Sequence, residues 1–228
     1  MNILAIETAT QNCSAALMCG DVIYELSEIA GHSHAEMILP MIDSLLSKHE
    51  ISIAHIDVLA FGRGPGSFSG IRIATAIAQG LAFGAQRPVV PVSSLVALAA
   101  AAYRMYKAAN IMACLDARMG QVYWCAYTAS AEDKITPVSS ETLSAPQDVS
   151  PPAGMSWFKA GPGFRSYGGM FTQCMEQTGG GQDATLMPCA RDIAVLAHRF
   201  LEKGTAFAAE DVAPVYIRNQ VAWAKSKL

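Results

Sequence analysis

Charge is scarce in this sequence. Only 15% of its 228 residues are Asp, Glu, Lys or Arg, and neither sign dominates: 16 Lys+Arg stand against 19 Asp+Glu, a net charge of −3. A protein that grips polyanions on its own through counterion release needs a basic excess, so a stand-alone nucleic-acid binder is excluded. No apolar run attains the ~18 residues of a membrane span; the richest, Leu95 to Tyr103, is alanine-heavy and ends at Arg104. The six cysteines, Cys13, Cys19, Cys114, Cys125, Cys174 and Cys189, contain no CxxC pair, and no basic segment leads into a secretory signal. They are read as reduced, small apolar residues of a cytoplasmic protein. Walker-A, Gly-x-Ser-x-Gly and HExxH signatures are also missing, which removes P-loop NTPases, α/β-hydrolases and zincins.

Apolar residues, by contrast, make up 52% of the chain, ample for the core of one large domain or two small ones. β-rich segments come first, at Asn2 to Glu7, Ser14 to Met18 and Val22 to Ile29, with Gly20-Asp21 as a hairpin turn. Helical spacing follows. Ser33 is a candidate N-cap for a helix to Lys48, in which Pro40 predicts a kink; Ile56 to Phe61 is a buried strand and Ser69 to Gly84 a helix. Val89-Val90 is a short strand, and Ser93 or Ser94 caps a helix to Lys107. A second series has strands at Ile111 to Leu115, Val122 to Tyr127 and Ile135 to Leu143. After a Pro-rich loop come a strand at Trp157 to Ala160 and helices near Ser166 to Gln177 and Ala190 to Lys203.

Each series opens with an apolar strand ending in an acid, Glu7 or Asp116, and each later carries Gly-Pro-Gly, at Gly64-Pro65-Gly66 and Gly161-Pro162-Gly163. The repetition predicts an α/β fold of two tandem lobes, residues 1–109 and 110–228, each a mixed sheet covered by helices, with a cleft between them. The last helix is free to pack back on the first lobe.

The run GRGPGSFSGIRI, Gly62 to Ile73, follows a strand and opens a helix. Its glycines allow a sharp turn, and free N–H groups at a helix start suit an anion. A tight strand-to-helix turn that brings helix and sheet close explains it equally well. Glu7 and Asp116 could face each other across the cleft and hold a metal–nucleotide complex, or could be ordinary turn formers. His32, His34 and Glu36 supply too few converging ligands for a metal. Ser67 and Ser69 are turn and cap hydroxyls rather than nucleophiles.

The two helices flanking this loop are more apolar than one core face requires. In the first, Met37, Ile38, Met41, Ile42, Leu45, Leu46 and Leu39 span about 200° of the helix circumference, roughly twice a core-facing stripe. In the second, Ala74, Ala78 and Ala82 form an i, i+4 ridge of small side chains that lets another helix approach closely. Either a partner's helices cover the surplus, or the chain's own fold buries it.

ILAIETAT (Ile3 to Thr10), His32 to Leu46 with Leu39-Pro40, GRGPGSFSGIRI, LDARMGQVYWCAY (Leu115 to Tyr127) and the closing PVYIR (Pro214 to Arg218) resemble, in order, the TsaB (YeaZ) family. The resemblance implies two lobes of the actin/Hsp70/sugar-kinase (RNase H-like) type. It also implies a part in making threonylcarbamoyladenosine beside the anticodon of tRNAs, as partner of the catalytic paralogue TsaD and with the ATPase TsaE. TsaD carries a metal-binding HxxxH in the region matching Pro91 to Leu98, where this chain has Ser94 and Leu98; a serine and a leucine cannot hold iron or zinc. Gly179-Gly180-Gly181-Gln182 does not resemble its adenosine-binding run.

By that resemblance the chain is a non-catalytic subunit with no cofactor and no metal, and contacts tRNA only indirectly. Met37, Ile38, Met41, Ile42, Leu45, Ala74, Ala78 and Ala82 are expected at the TsaD interface, and at a homodimer interface when the chain is alone. A phosphate-type loop survives in outline at Glu7, Thr8, Gly64, Gly66 and Ser67. The rival readings are an ATPase or small-molecule kinase of the same fold, and a glycoprotease, which lacks its histidines here.

Overall fold

The computed structural model describes residues 1–171 and 179–218. β1 (Asn2–Glu7), β2 (Asn12–Cys19) and β3 (Val22–Ile29) form an antiparallel meander; α1 (His34–Lys48), β4 (Val58–Gly62), α2 (Phe68–Ala85), β5 (Val89–Val92) and α3 (Ser94–Tyr106) follow. The second series runs β6 (Asn110–Asp116), β7 (Val122–Ala131), β8 (Lys134–Pro137), β9 (Thr142–Ser144), β10 (Trp157–Ala160), α4 (Pro162–Ser166), β11 (Gly179–Asp183) and α5 (Ala190–Glu202). The first sheet has the order β3-β2-β1-β4-β5 and the second β8-β7-β6-β10-β11, with β9 added on β7. In both, the first strand pairs antiparallel with the second and parallel with the strand after the crossover. The duplication expected from the sequence is therefore a duplication of topology.

Central strands are buried on both faces, which is why they read as unbroken apolar runs. In β1, Leu4 and Ile6 face α1 and α2 while Ile3 and Ala5 face α5; β4 divides Leu59 and Phe61 from Val58 and Ala60 in the same way. In the second sheet, Ile111, Ala113 and Leu115 face α3, and Met112 and Cys114 face the side of α4. α3 and α5 thus lie between the sheets. α3 gives Leu95, Leu98, Ala99 and Ala102 to the second sheet and Ala97 and Ala100 to the first, whereas α5 packs back on the first sheet through Ile193, Ala194 and Ala197. Arg104 of α3 clasps Asp192 of α5 with Nε and a terminal nitrogen at 2.9 and 3.0 Å.

Several local features depart from the sequence reading. α1 continues on both sides of Pro40, where the sequence predicts a kink; Pro40 and Glu36, whose carbonyl loses its intrahelical donor, both lie on the exposed side where water can replace it. Ser33 makes no side-chain cap, whereas Ser67 and Ser93 cap α2 and α3 through Gly70 N–H and Leu95 N–H. The strand expected over Ile135 to Leu143 is two short strands, β8 and β9. Of the helix expected over Ser166 to Gln177, residues 172 to 177 lie outside the described residues; ahead of them the short α4 ends at Ser166 and a 3-10 turn spans Gly168–Met170. β11 has no β-forming side chains to announce it. Gly180 lies so close to the Trp157 carbonyl that a Cβ would collide with it, so glycine is what allows this edge pairing. The five described cysteines are free, and four of them are buried; Cys174 lies outside the described residues. Among the described residues, no helix is long and apolar enough to cross a membrane.

Candidate functional site

A cleft of about 840 Å³ opens between the lobes. One wall is the start of α2 with Ser67, Phe68 and Arg72; the other comes from the ends of β6 and β10 with Asp116, Arg118 and Arg165; a strap ending in Tyr216 and Arg218 crosses it. The strap is pinned on the first lobe by Val215 N–H donating to the Arg63 carbonyl at 2.9 Å, and by Gln79 Nε2 donating to the Ala209 and Val212 carbonyls. On the second lobe, a terminal nitrogen of Arg218 donates to the Ala117 carbonyl at 3.1 Å. Arg72 donates through Nε to the Tyr216 hydroxyl at 2.7 Å, and its guanidinium lies 3.8 Å from the Phe68 ring centroid. Behind the cleft, Glu141 accepts from Ser93 and Tyr127 hydroxyls and pairs with Arg63, a further tie between the lobes.

The two strand-end acids do not converge. Glu7 is fully buried and absent from the cleft wall; its Oε1 accepts from Ala9 N–H and its Oε2 from the Ser94 hydroxyl at 2.7 Å. Burial raises its pKa against the opposing pull of those donors. Asp116 does line the cleft, but its oxygens accept from Arg118 N–H and from the Tyr167, Ser166 and Arg118 side chains. It is a turn former at a strand end, and the paired-carboxylate metal reading is overturned. Thr8 is buried, with its hydroxyl donating to the Gly70 carbonyl. Gly64 is buried at a positive φ of 97°. Only Gly66 and Ser67 of the phosphate-type set reach the cleft. Their loop is stitched to its own backbone: Ser67 N–H donates to the Ala9 carbonyl, and Ser67 Oγ accepts from Gly70 N–H. The tight-turn reading of this glycine run is the one the geometry favours. Ser94 and Leu98, at the positions of the paralogue's histidines, are both fully buried. His34 is a satisfied core histidine whose Nε2 donates to the Thr10 carbonyl at 2.8 Å.

The helix faces also need correction. Ile38, Met41, Ile42 and Leu45 of α1 and Ala74, Ala78 and Ala82 of α2 are buried against the first sheet, so none of them is available to a partner; Met37 is half-buried at the edge. The middle of each wide arc turned inward because it was the face that matched the sheet. The surplus is left at the margins. On α1 that is Leu39, 49% exposed, with Met37 and Leu46 half-covered. On α2, Ile73, Ala76, Ile77, Gly80, Phe83 and Gly84 form an outward strip without a charge, in which Phe83 is 76% exposed.

The sequence reading missed the arginines of the cleft. Arg72, Arg118 and Arg218 sit inside the runs that carried the family resemblance, and that was the available signal; Arg165 lies two residues after the second Gly-Pro-Gly, whereas Arg72 lies six after the first.

The family model described as TsaD, tRNA N6-adenosine threonylcarbamoyltransferase, matches residues 21–225. The tRNA threonylcarbamoyladenosine biosynthesis protein TsaB of Haemophilus influenzae is 35% identical over 99% of this chain and 97% of its own length. That of Escherichia coli is 36% identical over 99% and 98%. The solved structure of YeaZ from Pseudomonas aeruginosa, 38% identical, superposes with a TM-score of 0.89 over 94% of this chain and 99% of its own. With near full-length similarity on both sides and the same two-lobed actin/Hsp70-like fold, the chain belongs to the TsaB (YeaZ) family, whose members take part in tRNA threonylcarbamoyladenosine biosynthesis.

Proposed function

We propose that this chain is a non-catalytic subunit of the threonylcarbamoyladenosine machinery, and that it works by pairing with the catalytic paralogue TsaD, with TsaE as a further member of the assembly. The observation that carries the reading is the uncharged outward strip of α2, with Phe83 exposed and Gly80 and Gly84 in open space. An apolar strip with small residues at its centre suits close approach by another helix. Alone, the chain would cover the same strip with a second copy of itself. The seven buried helix residues named from the sequence are then the support of this surface, and the contacts are Phe83, Gly80, Ala76 and Leu39. A non-catalytic role is supported by Ser94 and Leu98, which are buried and offer no metal ligand where the paralogue has two histidines. The net charge of −3 leaves direct tRNA contact to the partner.

The test combines two variants with reconstitution. A Cβ at Gly80 meets nothing within 4 Å, so Gly80→Arg should fold normally and, like Phe83→Asp, should no longer co-elute with TsaD. Omitting this chain from a mixture of TsaD, TsaE and the adenylate source should lower tRNA modification at least tenfold. Wild-type co-elution by both variants, or an unchanged rate on omission, would sink the partner reading.

A further inference from the structure

Four strands end the two sheets, β3 and β5 in the first and β8 and β11 in the second. Three of them are guarded. β5 is bridged along its outer side by Phe207, whose N–H and carbonyl exchange hydrogen bonds with Val89, both at 2.9 Å. β8 is four residues long, carries Lys134 and Pro137, and meets β7 with a register shift between Ala129 and Ala131. β11 is glycine-rich, and its pairing with β10 is also shifted. Short length, Lys, Pro and bulges are the devices that keep an edge from recruiting a foreign strand. β3 has none of them. VIYELSEI is eight residues long without Pro, Lys or Arg, and it pairs with β2 in unbroken register from Val22 to Ile29. Among the described residues β2 is its one strand neighbour.

The direction of the free backbone groups follows from that pairing. Just past β3, Ala30 N–H donates to the Gln11 carbonyl at 3.0 Å, and residues bonded to the neighbour alternate along an antiparallel strand. Val22, Tyr24, Leu26 and Glu28 therefore bond to β2, while Ile23, Glu25, Ser27 and Ile29 turn their N–H and C=O groups outward. The side chains divide between the two faces. On the α1 side, Leu26 joins the core and Tyr24 stacks on His49, ring centroids 3.6 Å apart. On the α5 side, Ile23 joins the core and Glu25 accepts from Arg191 N–H at 3.0 Å. Each face thus carries one acid, Glu28 on the first and Glu25 on the second. Glu28 is exposed and belongs to none of the ion pairs among the described residues. Val22 and Ile29, at the two ends, are 52% and 64% exposed.

We propose that β3 is a docking edge for an extended, basic segment of another protein, which adds to the first sheet as a further strand and sets cations beside Glu25 and Glu28. In such strand addition the main-chain bonds supply affinity and the alternating side chains supply selectivity. A second copy of this chain is the wrong occupant. An antiparallel β3–β3 seam would gather four carboxylates, and like charges on neighbouring strands oppose pairing. The two acids therefore repel a copy of the same edge while leaving it open to the opposite charge. Because Glu25 and Glu28 lie three residues apart and on opposite faces, the matching segment carries two Lys or Arg at that spacing among β-branched residues. The proposal rests neither on the partner role of α2 nor on the cleft, and it is tested on the isolated full-length chain.

The probe is a capped peptide of alternating Thr and Val with two Lys placed three apart, followed by residue-resolved amide hydrogen exchange and by fluorescence anisotropy. In the free chain the amides of Ile23, Glu25, Ser27 and Ile29 should exchange fast and those of Tyr24, Leu26 and Glu28 slowly; bound peptide should slow the first group and leave the second unchanged. Replacing both peptide lysines with Glu should weaken binding about tenfold, the scale of two cross-strand charge pairs turned from opposite to like. Glu28→Lys should erase most of that preference. Ile29→Pro, at an exposed position, removes an outward N–H and should weaken the Lys peptide several-fold; if it disturbs the strand, the Glu28→Lys comparison still decides. Unchanged exchange of the four outward amides at millimolar peptide, or equal binding of the Lys and Glu peptides, overturns the proposal. So does dimerisation of the chain alone that protects the same four amides, which would make the edge a self-contact.

Discussion

Replacing Arg104 with Met is the sharpest test of how the lobes are joined. Arg104 sits in the last turn of α3 and is 22% exposed, while Asp192, its partner on α5, is 1% exposed. Asp192 accepts two bonds from Arg104 and one from the Cys189 thiol at 2.9 Å. Methionine keeps much of the arginine stem's packing but strands a buried carboxylate, with the Cys189 thiol as its remaining donor among the described residues. Breaking a buried ion pair from one side costs about 3–5 kcal/mol. For a chain of this size, each kcal/mol lowers the unfolding temperature by about 2–4 °C, so a fall of about 6–20 °C is expected. The double variant Arg104→Met/Asp192→Leu removes both charges and should recover most of that loss, because the cost lies in the unpaired charge rather than in the lost pair. Calorimetry on the wild type, the two single variants and the double variant closes the cycle. If Arg104→Met loses less than about 1 kcal/mol, or the double variant loses the sum of the singles, the clasp is not a buried, coupled pair.

Three further outcomes are expected. Glu7→Gln should fold and stay within about 1 kcal/mol of wild type at neutral pH, since an amide can accept from Ala9 N–H and donate to the Ser94 hydroxyl. Because burial raises the Glu7 pKa in the fold, the native state holds its proton longer than the unfolded chain. Its contribution is therefore full below the ordinary carboxyl range and is lost as pH rises through the raised value. Glu7→Gln should flatten that part of the stability–pH curve, and an unchanged curve in denaturant titrations would count against a buried, titrating Glu7. Gly70→Ala should destabilise by about 1–3 kcal/mol or more, as its Cβ would overlap the Thr8 carbonyl and push α2 from the end of β1; wild-type stability in urea would contradict that close approach. Cys114 and Cys189, whose thiols burial pushes well up, and Cys13, pushed up to about 11, should resist alkylation at pH 8 in the native state. Rapid native-state labelling at these three positions, read by peptide mass analysis, would place them wrongly.

Much of the architecture is legible along the chain because it depends on local chemistry. The apolar strands ending at Glu7 and Asp116, the serine caps at Ser67 and Ser93, and the repeated Gly-Pro-Gly all reflect interactions within a few residues. β11 escaped because its glycines pair by allowing close approach to Trp157, a property of the neighbouring strand and not of GGGQD itself. The candidate site was less legible. Glu7 and Asp116 occupy equivalent places in the two sheets, yet one is sealed under Ser94 and the other opens on the cleft, a difference that depends on what α3 brings over each strand end.

The sequence by itself determined that the chain is an α/β protein with a repeated element order and with more apolar helix surface than one core face requires, since both statements follow from periodicity and composition. Tertiary structure alone decided which part of that surface stays outside. A helical period sets the width of an apolar arc but not its rotation against a sheet. Ala74, Ala78 and Ala82 turned inward, and Ile73, Gly80 and Phe83 were left facing out. It also decided the charge of the cleft. Arg72, Arg118, Arg165 and Arg218 are remote along a chain of net charge −3, and they share one cavity only because the strap and the two lobes close around it.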